Sequence, residues 1–490
     1  MDDPDTSQRP NIIFILADQL RPDFLGYNGF KGIATPNLDR LAAESISFDQ
    51  AISATPICVP ARAALLTGLS SLRTGVMSNQ NWLRPDRDAM GLTTWPQLLS
   101  EAGYHTVGVG KMHFTPWESL EGFDQRIIAE DKRWPLIRDD YQLFLEAQGY
   151  SKRFAMENST YHEQFGAIVN DLSVECTTDR FVSRRAIEVI EQRDKGKPLA
   201  MMISYPSPHC PYDPPQSYLD QVDESKIPAP IGDPWTGSGK QAMREDFLQG
   251  MLAAWHQIDY REFPAEAKRR IRQHYAALVK QIDDEVGLIL SALEQQGMLE
   301  NSLILFTSDH GDFVGDRGLV GKKLFYENSI RVPLLVRLPG GRSAARSSDL
   351  VELHDITATV LAAAGLVVPS WMDSRPLPGL SLGGETRTHI TGFLDGQAMV
   401  RSGPWKLTRY ACGVQELFDL ESDPQELNNL IDVPDHRERV VMLNDLLWAD
   451  LFPSIAFGHK SLSYESKQGR YLEADFCSPG WQRTYPAPVV

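Results

Sequence analysis

The run Asn11-Ile12-Ile13-Phe14-Ile15-Leu16, closed by Ala17-Asp18-Gln19, decides the fold. Its apolar residues follow one another without polar alternation, the pattern of a strand covered on both faces, as in parallel sheets. It ends abruptly in a carboxylate and a carboxamide, so polar chemistry sits where the strand leaves the sheet. Further along, Thr35-Pro36 opens a helix through about Glu44, with Thr as N-cap and Pro at the first helical position. A second short helix begins at Thr94 and Pro96 and stops at Gly103, before a strand over His105 to Val109. Leu199 to Ser204 is another continuous buried-type strand. From Pro264 to Gln296 a long amphipathic helix carries Ile271, Tyr275, Leu278, Ile282 and Ile289 on one face, then feeds a strand over Ser302 to Thr307. This alternation predicts an α/β fold: a large mixed, mostly parallel sheet sandwiched by helices, with long β-α-β crossovers.

The texture changes near residue 370, which divides the chain into a catalytic α/β domain over 1–370 and a small α+β subdomain over 371–490. In the second, strands are expected at Ala398 to Arg401, Trp405 to Tyr410 and Glu416 to Leu420, a helix at Arg437 to Leu451, and then an extended tail anchored by Phe476 and Trp481. The Pro-, Asp- and Gly-rich stretch between Pro206 and Pro264 reads as an insertion that walls a pocket, its Trp, Tyr and Asp residues shaping a site for a cation or a sugar.

With 490 residues, 42% hydrophobic and 23% charged, the chain is an ordinary globular protein, which excludes disordered, collagen-like and disulfide-stapled classes. A net charge of −17 without a basic run argues against a nucleic-acid partner. The acidic start, Met1-Asp2-Asp3-Pro4-Asp5, lacks a signal pattern, and no stretch reaches about 18 uninterrupted apolar residues. A cytoplasmic protein without a membrane partner is therefore expected. The five cysteines are scattered and form no CxxC pair, so neither a disulfide framework nor a zinc knuckle is indicated.

Four strand candidates end in reactive residues: Asp18-Gln19, Lys111 with His113, His209, and Asp309-His310. In an open α/β sheet, ligands bind outside the carboxyl ends of the strands. Asp18, Gln19, Asp309 and His310 make a metal set of two carboxylates, a carbonyl oxygen and an imidazole. Oxygen ligands favour Ca²⁺ or Mg²⁺, while the imidazole moves preference toward Mn²⁺. The bland alternative, an Asp capping the next turn, fits any one of these residues and fits their recurrence poorly. Cys58 lies in Cys58-Val59-Pro60-Ala61-Arg62, at the start of a helical run to Leu66, where free N–H groups attract anions and Arg62 adds a positive fork. A lone Cys is otherwise a small buried hydrophobe. Lys322 and Lys323 fit solvated loop charges as well as a site; Asn79 either binds a substrate oxygen or makes a turn; His105 and His354 read as structural.

Cys58-x-Pro60-x-Arg62 followed by Leu65-Leu66-Thr67-Gly68 resembles the signature of the type I sulfatases of the alkaline phosphatase superfamily. Gly103-Tyr104-x-Thr106-x-x-Val109-Gly110-Lys111-Met112-His113 is similar to that family's second signature, and the likeness runs in order to Asp423-Pro424. It implies an alkaline phosphatase-like fold and a sulfatase that hydrolyses a small sulfate ester to alcohol and sulfate through a covalent sulfo-enzyme intermediate. Cys58 would be converted by a formylglycine-generating enzyme to formylglycine, whose hydrate is the nucleophile. Asp18, Gln19, Asp309, His310 and residue 58 would hold one divalent metal, with Ca²⁺ first and Mn²⁺ or Mg²⁺ as alternatives. Arg62 and Lys111 would steady the diol and sulfate oxygens, His113 would take a proton, and His209 and Lys322 would serve the leaving alkoxide; Asn79 is the candidate substrate contact. The pairs Asp18-Gln19 and Asp309-His310 resemble the choline sulfatase and phosphonate monoester hydrolase branch, with Gly110 to Phe114 and Gly315 to Gly318 leaning to the former. That branch implies a homo-oligomer assembled through the C-terminal tail. The rival readings are a phosphonate or phosphate ester hydrolase using the same site, and a non-catalytic metal-binding scaffold.

Overall fold

The computed structural model describes residues 9–462, apart from 86, 88–90, 131–133, 233–234, 255–256 and 342. Eight strands form the main sheet: β1 (Asn11–Asp18), β2 (Ile46–Ile52), β3 (His105–Gly110), β4 (Gln125–Ile128), β5 (Leu199–Pro208), β6 (Ser302–Ser308), β7 (Leu334–Arg337) and β8 (Ala345–Glu352), in the order β4-β3-β5-β1-β6-β7-β2-β8. Neighbours are parallel except where β7 runs against β6 and β2. The sheet is thus mixed and mostly parallel, as expected.

β1 lies in the middle, paired with β5 from Ile12↔Ala200 and with β6 from Asn11↔Ser302. Its alternate side chains enter two different cores. Ile13, Ile15 and Ala17 pack with Ile271, Tyr275, Leu278, Ile282 and Ile289 of the long helix Ala265–Gln295. Ile12, Phe14 and Leu16 pack on the other face with Val59, Leu65, Ile356 and Val360. Burial on both faces is why the run shows no alternation, and each large side chain so enclosed contributes about 1.5–3 kcal/mol.

Several details depart from the sequence reading. The helix Pro36–Ala43 is not capped by the Thr35 side chain, which bonds Asp39 at 3.1 Å instead. Asp283, from the long helix, accepts from the amides of Asn37 at 3.0 Å and Leu38 at 2.8 Å. The cap comes from tertiary structure rather than from the preceding residue. Strand β2 was not anticipated because Asp49 and Gln50 interrupt its apolar pattern; its register with β8 shifts at that point, and Arg346 bonds Asp49 at 2.5 Å and 3.2 Å. The 206–264 stretch carries a helix, Ser238–Ala253, that its Pro and Gly content hid.

A second, antiparallel sheet holds β9 (Ile390–Leu394), β10 (Gln397–Ser402), β11 (Trp405–Tyr410) and β12 (Gln415–Asp419), of which β9 was not foreseen. Against it packs the helix Arg437–Leu462, burying Leu443 and Leu447 on Val400, Leu407 and Leu417. This helix runs past the expected end at Leu451, carrying Pro453 within it. Together with the turn before it, the helix gives a stretch, Pro434–Phe457, that contains an 18-residue window of mean hydropathy 1.4 and is by length and composition long and apolar enough to cross a membrane, although its apolar residues are interrupted by charged ones. The tail with Phe476, Cys477 and Trp481 lies outside the described residues.

Candidate active site

Because β1, β3, β5 and β6 are parallel, their carboxyl ends share one rim, and the helix Cys58–Thr67 starts beside it. Every residue of that helix is buried, and Cys58 is its first. The amide of Val59, one of the donors a helix start leaves unpaired, is taken by Asn79 Oδ1 at 3.1 Å. One turn on, the Arg62 guanidinium joins the strand ends. Nε donates to Asp309 Oδ2 at 2.9 Å, Nη1 to Ser204 Oγ at 2.9 Å and to the Lys111 carbonyl at 2.5 Å, and Nη2 lies 3.5 Å from Asp18 Oδ2.

Asp18, Cys58, Asp309 and His310 place ligand atoms within 4.8 Å of one another, all buried. His310 Nδ1 donates to the Gly311 carbonyl at 2.9 Å, which orients the ring so that Nε2 faces Cys58 Sγ at 3.3 Å. Gln19 sits beside them in a left-handed backbone, φ 71°, its amide donating to Asp309 Oδ1 at 3.0 Å and its carbonyl accepting from Tyr275 at 2.7 Å. Its Oε1 accepts from Lys322 Nζ at 2.5 Å.

Electrostatics here follow from burying two acids together. Burial raises the Asp18 pKa, yet the Lys111, Arg62 and Lys322 cations outweigh it and hold this carboxyl far below the usual range. Burial and the Asp18 charge push Asp309 up. His310 is also raised: burial works against its protonation, and the Asp309 carboxylate prevails. For Cys58, burial and Asp18 oppose ionisation, while Lys322, His310 and Lys111 bring the thiol well below its ordinary value. Two carboxylates, an oriented imidazole nitrogen and a carboxamide oxygen are a donor set suited to a divalent cation, whose charge would relieve the Asp18–Asp309 repulsion.

Around this cluster lie the proton-carrying groups. Lys111 Nζ is 2.5 Å from Asp18 Oδ2. Its position depends on Gly110, φ 95°, where a Cβ would stand 2.1 Å from the Ser204 carbonyl. His113 is also left-handed, φ 60°, a strain of about 1–2 kcal/mol. It is held by Glu130, which accepts from the His113 amide at 2.7 Å and from Arg126 at 2.7 Å. His113 Nδ1 is buried without a hydrogen-bond partner. His209 Nδ1 donates to the Cys210 carbonyl at 2.7 Å, so its Nε2 accepts from Lys322 Nζ at 2.7 Å. Lys322 is therefore part of the cluster and not a solvated loop charge.

All these groups open on a cleft of about 560 Å³ lined by Cys58, Asn79, Lys111, His113, His209 and Lys322. The 206–264 stretch walls this cleft as expected, through His209, Cys210, Gly250, Met251 and Ala254, but not with its Trp, Tyr and Asp residues. Trp235 is buried, donating to the Arg317 carbonyl at 2.7 Å, and the aromatic surface comes from Phe114, Trp117 and Trp134. Sequence reasoning also passed over Asp312, Glu130 and Ser204. Asp312 accepts from the Gln19 carboxamide, from Tyr212 at 2.7 Å and from the Gly321 amide at 2.8 Å, so one carboxylate sets both Gln19 and the Lys322 loop. It stood in the run Ser308-Asp309-His310-Gly311-Asp312; nothing local marked Glu130 or Ser204.

Strand-end acids, a helix-borne residue 58 and a ring of cations define a hydrolase for tetrahedral oxyanion esters. The chain belongs to the sulfatase family: the family model described as Sulfatase matches residues 10–366, and that described as N-sulphoglucosamine sulphohydrolase, C-terminal, matches 315–450. It is 29% identical over 478 residues to an arylsulfatase of Clostridium perfringens, covering 90% of this chain and 94% of the relative. It is 29% identical over 446 residues to a choline-sulfatase of Rhizobium meliloti, covering 88% and 84%. Among solved structures, the phosphonate monoester hydrolase of Agrobacterium radiobacter superposes with a TM-score of 0.76 at 25% identity, covering 94% of this chain and 98% of that one. The protein is a sulfuric ester hydrolase, of a family that generally uses a metal and formylglycine.

Proposed function

We propose that the protein hydrolyses a small sulfate ester to an alcohol and inorganic sulfate, with Cys58 matured to formylglycine and one divalent metal, Ca²⁺, held by Asp18, Gln19, Asp309, His310 and residue 58. The observation that carries this is the convergence of Cys58, Asp18, Asp309 and His310 within 4.8 Å, beneath Lys111 and Arg62. When bound, the metal supplies positive charge that favours an ionised oxygen nucleophile at residue 58. Arg62 and Lys111 orient the reacting oxyanions, and their charges match the negative charge of a sulfate ester. The His209–Lys322 pair, Nε2 to Nζ at 2.7 Å, holds a proton for the leaving alcohol oxygen. His113, which lines the same cleft and whose Nδ1 is without a hydrogen-bond partner, accepts the proton released when residue 58 returns to the aldehyde. Asn79, its oxygen on the Val59 amide, contacts the substrate through its remaining amide.

Maturation requires a formylglycine-generating enzyme, and Cys58, Cys176 and Cys412, thiols outside any disulfide among the described residues, support a cytoplasmic location. A homo-oligomer is supported by the exposed apolar stripe Val441, Trp448, Phe452 and Ile455 on the terminal helix. Peptide mass spectrometry across Cys58 after co-expression with the modifying enzyme tests the reading: the thiol is expected to be replaced by an aldehyde. That protein should cleave an aryl sulfate in preference to the matched phosphonate monoester. Preference for the phosphonate sinks the sulfatase assignment, and an unmodified, inert protein favours the scaffold reading.

A further inference from the structure

Asp312 stands two residues past His310, fully buried, and takes no place among the ligand atoms that Asp18, Cys58, Asp309 and His310 bring together. Donors converge on both of its oxygens. Oδ1 accepts from the amides of Val314 at 2.9 Å and Gly321 at 2.8 Å, while Oδ2 accepts from the Tyr212 hydroxyl at 2.7 Å and from Gln19 Nε2. A carboxylate offers about four lone-pair sites and no proton, so each of these sites is filled by an N–H or an O–H. Nothing on Asp312 is left over for a cation.

These bonds fix the Gln19 carboxamide. Its nitrogen can only donate and its oxygen can only accept, and of the two only the oxygen binds a hard cation. Because Asp312 can only accept, Nε2 turns toward it, and Oε1 points the other way, where it accepts from Lys322 Nζ at 2.5 Å. One lone pair of that oxygen serves Lys322; the second is left for an ion. The Gln19 backbone is pinned as well, its amide donating to Asp309 Oδ1 at 3.0 Å and its carbonyl accepting from Tyr275 at 2.7 Å. Rotation of the terminal amide is the remaining freedom, and Asp312 removes it. Lys322, which asks for the oxygen from the opposite side, follows Gly321, whose amide rests on the same carboxylate.

Resting on the metal reading above, we infer that Asp312 is a positioning residue for the metal, an acceptor-only group that keeps the oxygen of Gln19, and not its nitrogen, toward the ion. Asp312→Asn keeps the shape and reverses the demand: the new oxygen serves Val314 and Gly321, the new NH2 faces Gln19, and the carboxamide turns over. Calcium, manganese and magnesium chlorides are titrated calorimetrically into the full chain, unmodified at Cys58 and stripped with EDTA, and the variants are compared with the ion that binds most tightly. Asp312→Asn is expected to weaken binding at least tenfold, as for other groups that orient a metal ligand. The lost charge acts alike whatever stands at residue 19, so in a Gln19→Ala background the same substitution should cost at least fivefold less. Equal losses in the two backgrounds make Asp312 a general support of the fold and overturn the inference, as does no loss beside the native Gln19. A crystal structure of the wild type with the same ion reads the geometry without any variant having to fold. Gln19 Oε1 is expected on the ion with Nε2 on Asp312, and a carboxamide turned away from either overturns the inference. Wild-type protein that binds none of the three ions sinks the metal reading itself and the inference with it, an outcome distinct from a wild type that binds and an Asp312→Asn that binds equally well.

Discussion

Glu130 shows how much a single residue outside the reacting cluster can set. It fixes the left-handed turn at His113 through the backbone amide while Arg126 fixes Glu130 itself, so the imidazole is aimed by two ion-assisted bonds. Glu130→Gln replaces the charged acceptor with a neutral one of the same shape. Steady-state kinetics should show kcat lowered about 10–100-fold, as for other groups that orient a functional side chain, with KM changed less than threefold; an unchanged kcat removes Glu130 from this role. The acid pair makes a second prediction. With two buried carboxylates inside the cluster, removing the divalent ion leaves Asp18 and Asp309 to repel each other, and burial already pushes Asp309 upward. Thermal melts in EDTA should fall by a few degrees, and excess Ca²⁺ should restore them, since saturation at a hundredfold excess over Kd is worth about 2.7 kcal/mol. A melt indifferent to chelation would speak against a resident metal.

Among elements, the start of the helix Asp355–Ala363 is tied to the segment after it by a buried charge cluster. His354 Nδ1 lies 2.9 Å from Glu352, its Nε2 3.5 Å from Asp373, and Arg387 bonds Asp355 at 2.5 Å and 2.7 Å. Burial and Arg387 oppose protonation of His354, yet Glu352 and Asp373 raise its pKa to about 9 from an ordinary 6.5. The folded pKa exceeds the unfolded one, so the stabilisation is complete below about pH 6.5 and is lost as pH climbs through about 9. A shift of this size corresponds to on the order of 3 kcal/mol. Denaturation midpoints measured from pH 6 to 10 should decline for the wild type, and His354→Gln should be less stable at pH 6 and flatter across the range. Parallel curves for the two proteins would remove His354 as the titrating group.

At the scale of the whole molecule, the two sheets meet through buried charges as well as apolar contacts. Lys406 of β11 is fully buried, bonds Glu327 at 2.9 Å and pairs with Glu426, while Arg401 of β10 reaches Glu327 at 2.9 Å. From the main domain, the Arg317 guanidinium donates to the backbone carbonyls of Gln425 and Glu426. Removing one member leaves opposite charges without a partner in a medium that solvates them poorly. Lys406→Met should therefore cost about 3–5 kcal/mol in urea unfolding, and adding Glu426→Gln should recover part of it. A loss under 1 kcal/mol would show the junction to be held by apolar packing alone.

The local sequence determined the strands that hold the site, because their chemistry is written in consecutive residues. The unbroken apolar runs of β1, β5 and β6 could only be strands buried on both faces, and the acids and histidines directly after them had to emerge at one rim once the strands were parallel. Cys58-x-Pro60-x-Arg62 announced its helix start in the same way. Tertiary structure decided whatever required a partner far along the chain. Asp283 caps a helix 246 residues away, Asp312 holds Gln19 across 293 residues, and Glu130 aims His113 without any motif of its own. The aromatic wall likewise joined Phe114, Trp117 and Trp134 to Met251 and Leu394, residues whose local patterns carry no sign of a common surface. Periodicity and strand-end chemistry are properties of neighbours in sequence; hydrogen-bond satisfaction and pocket shape are properties of neighbours in space, and only the folded chain specifies those.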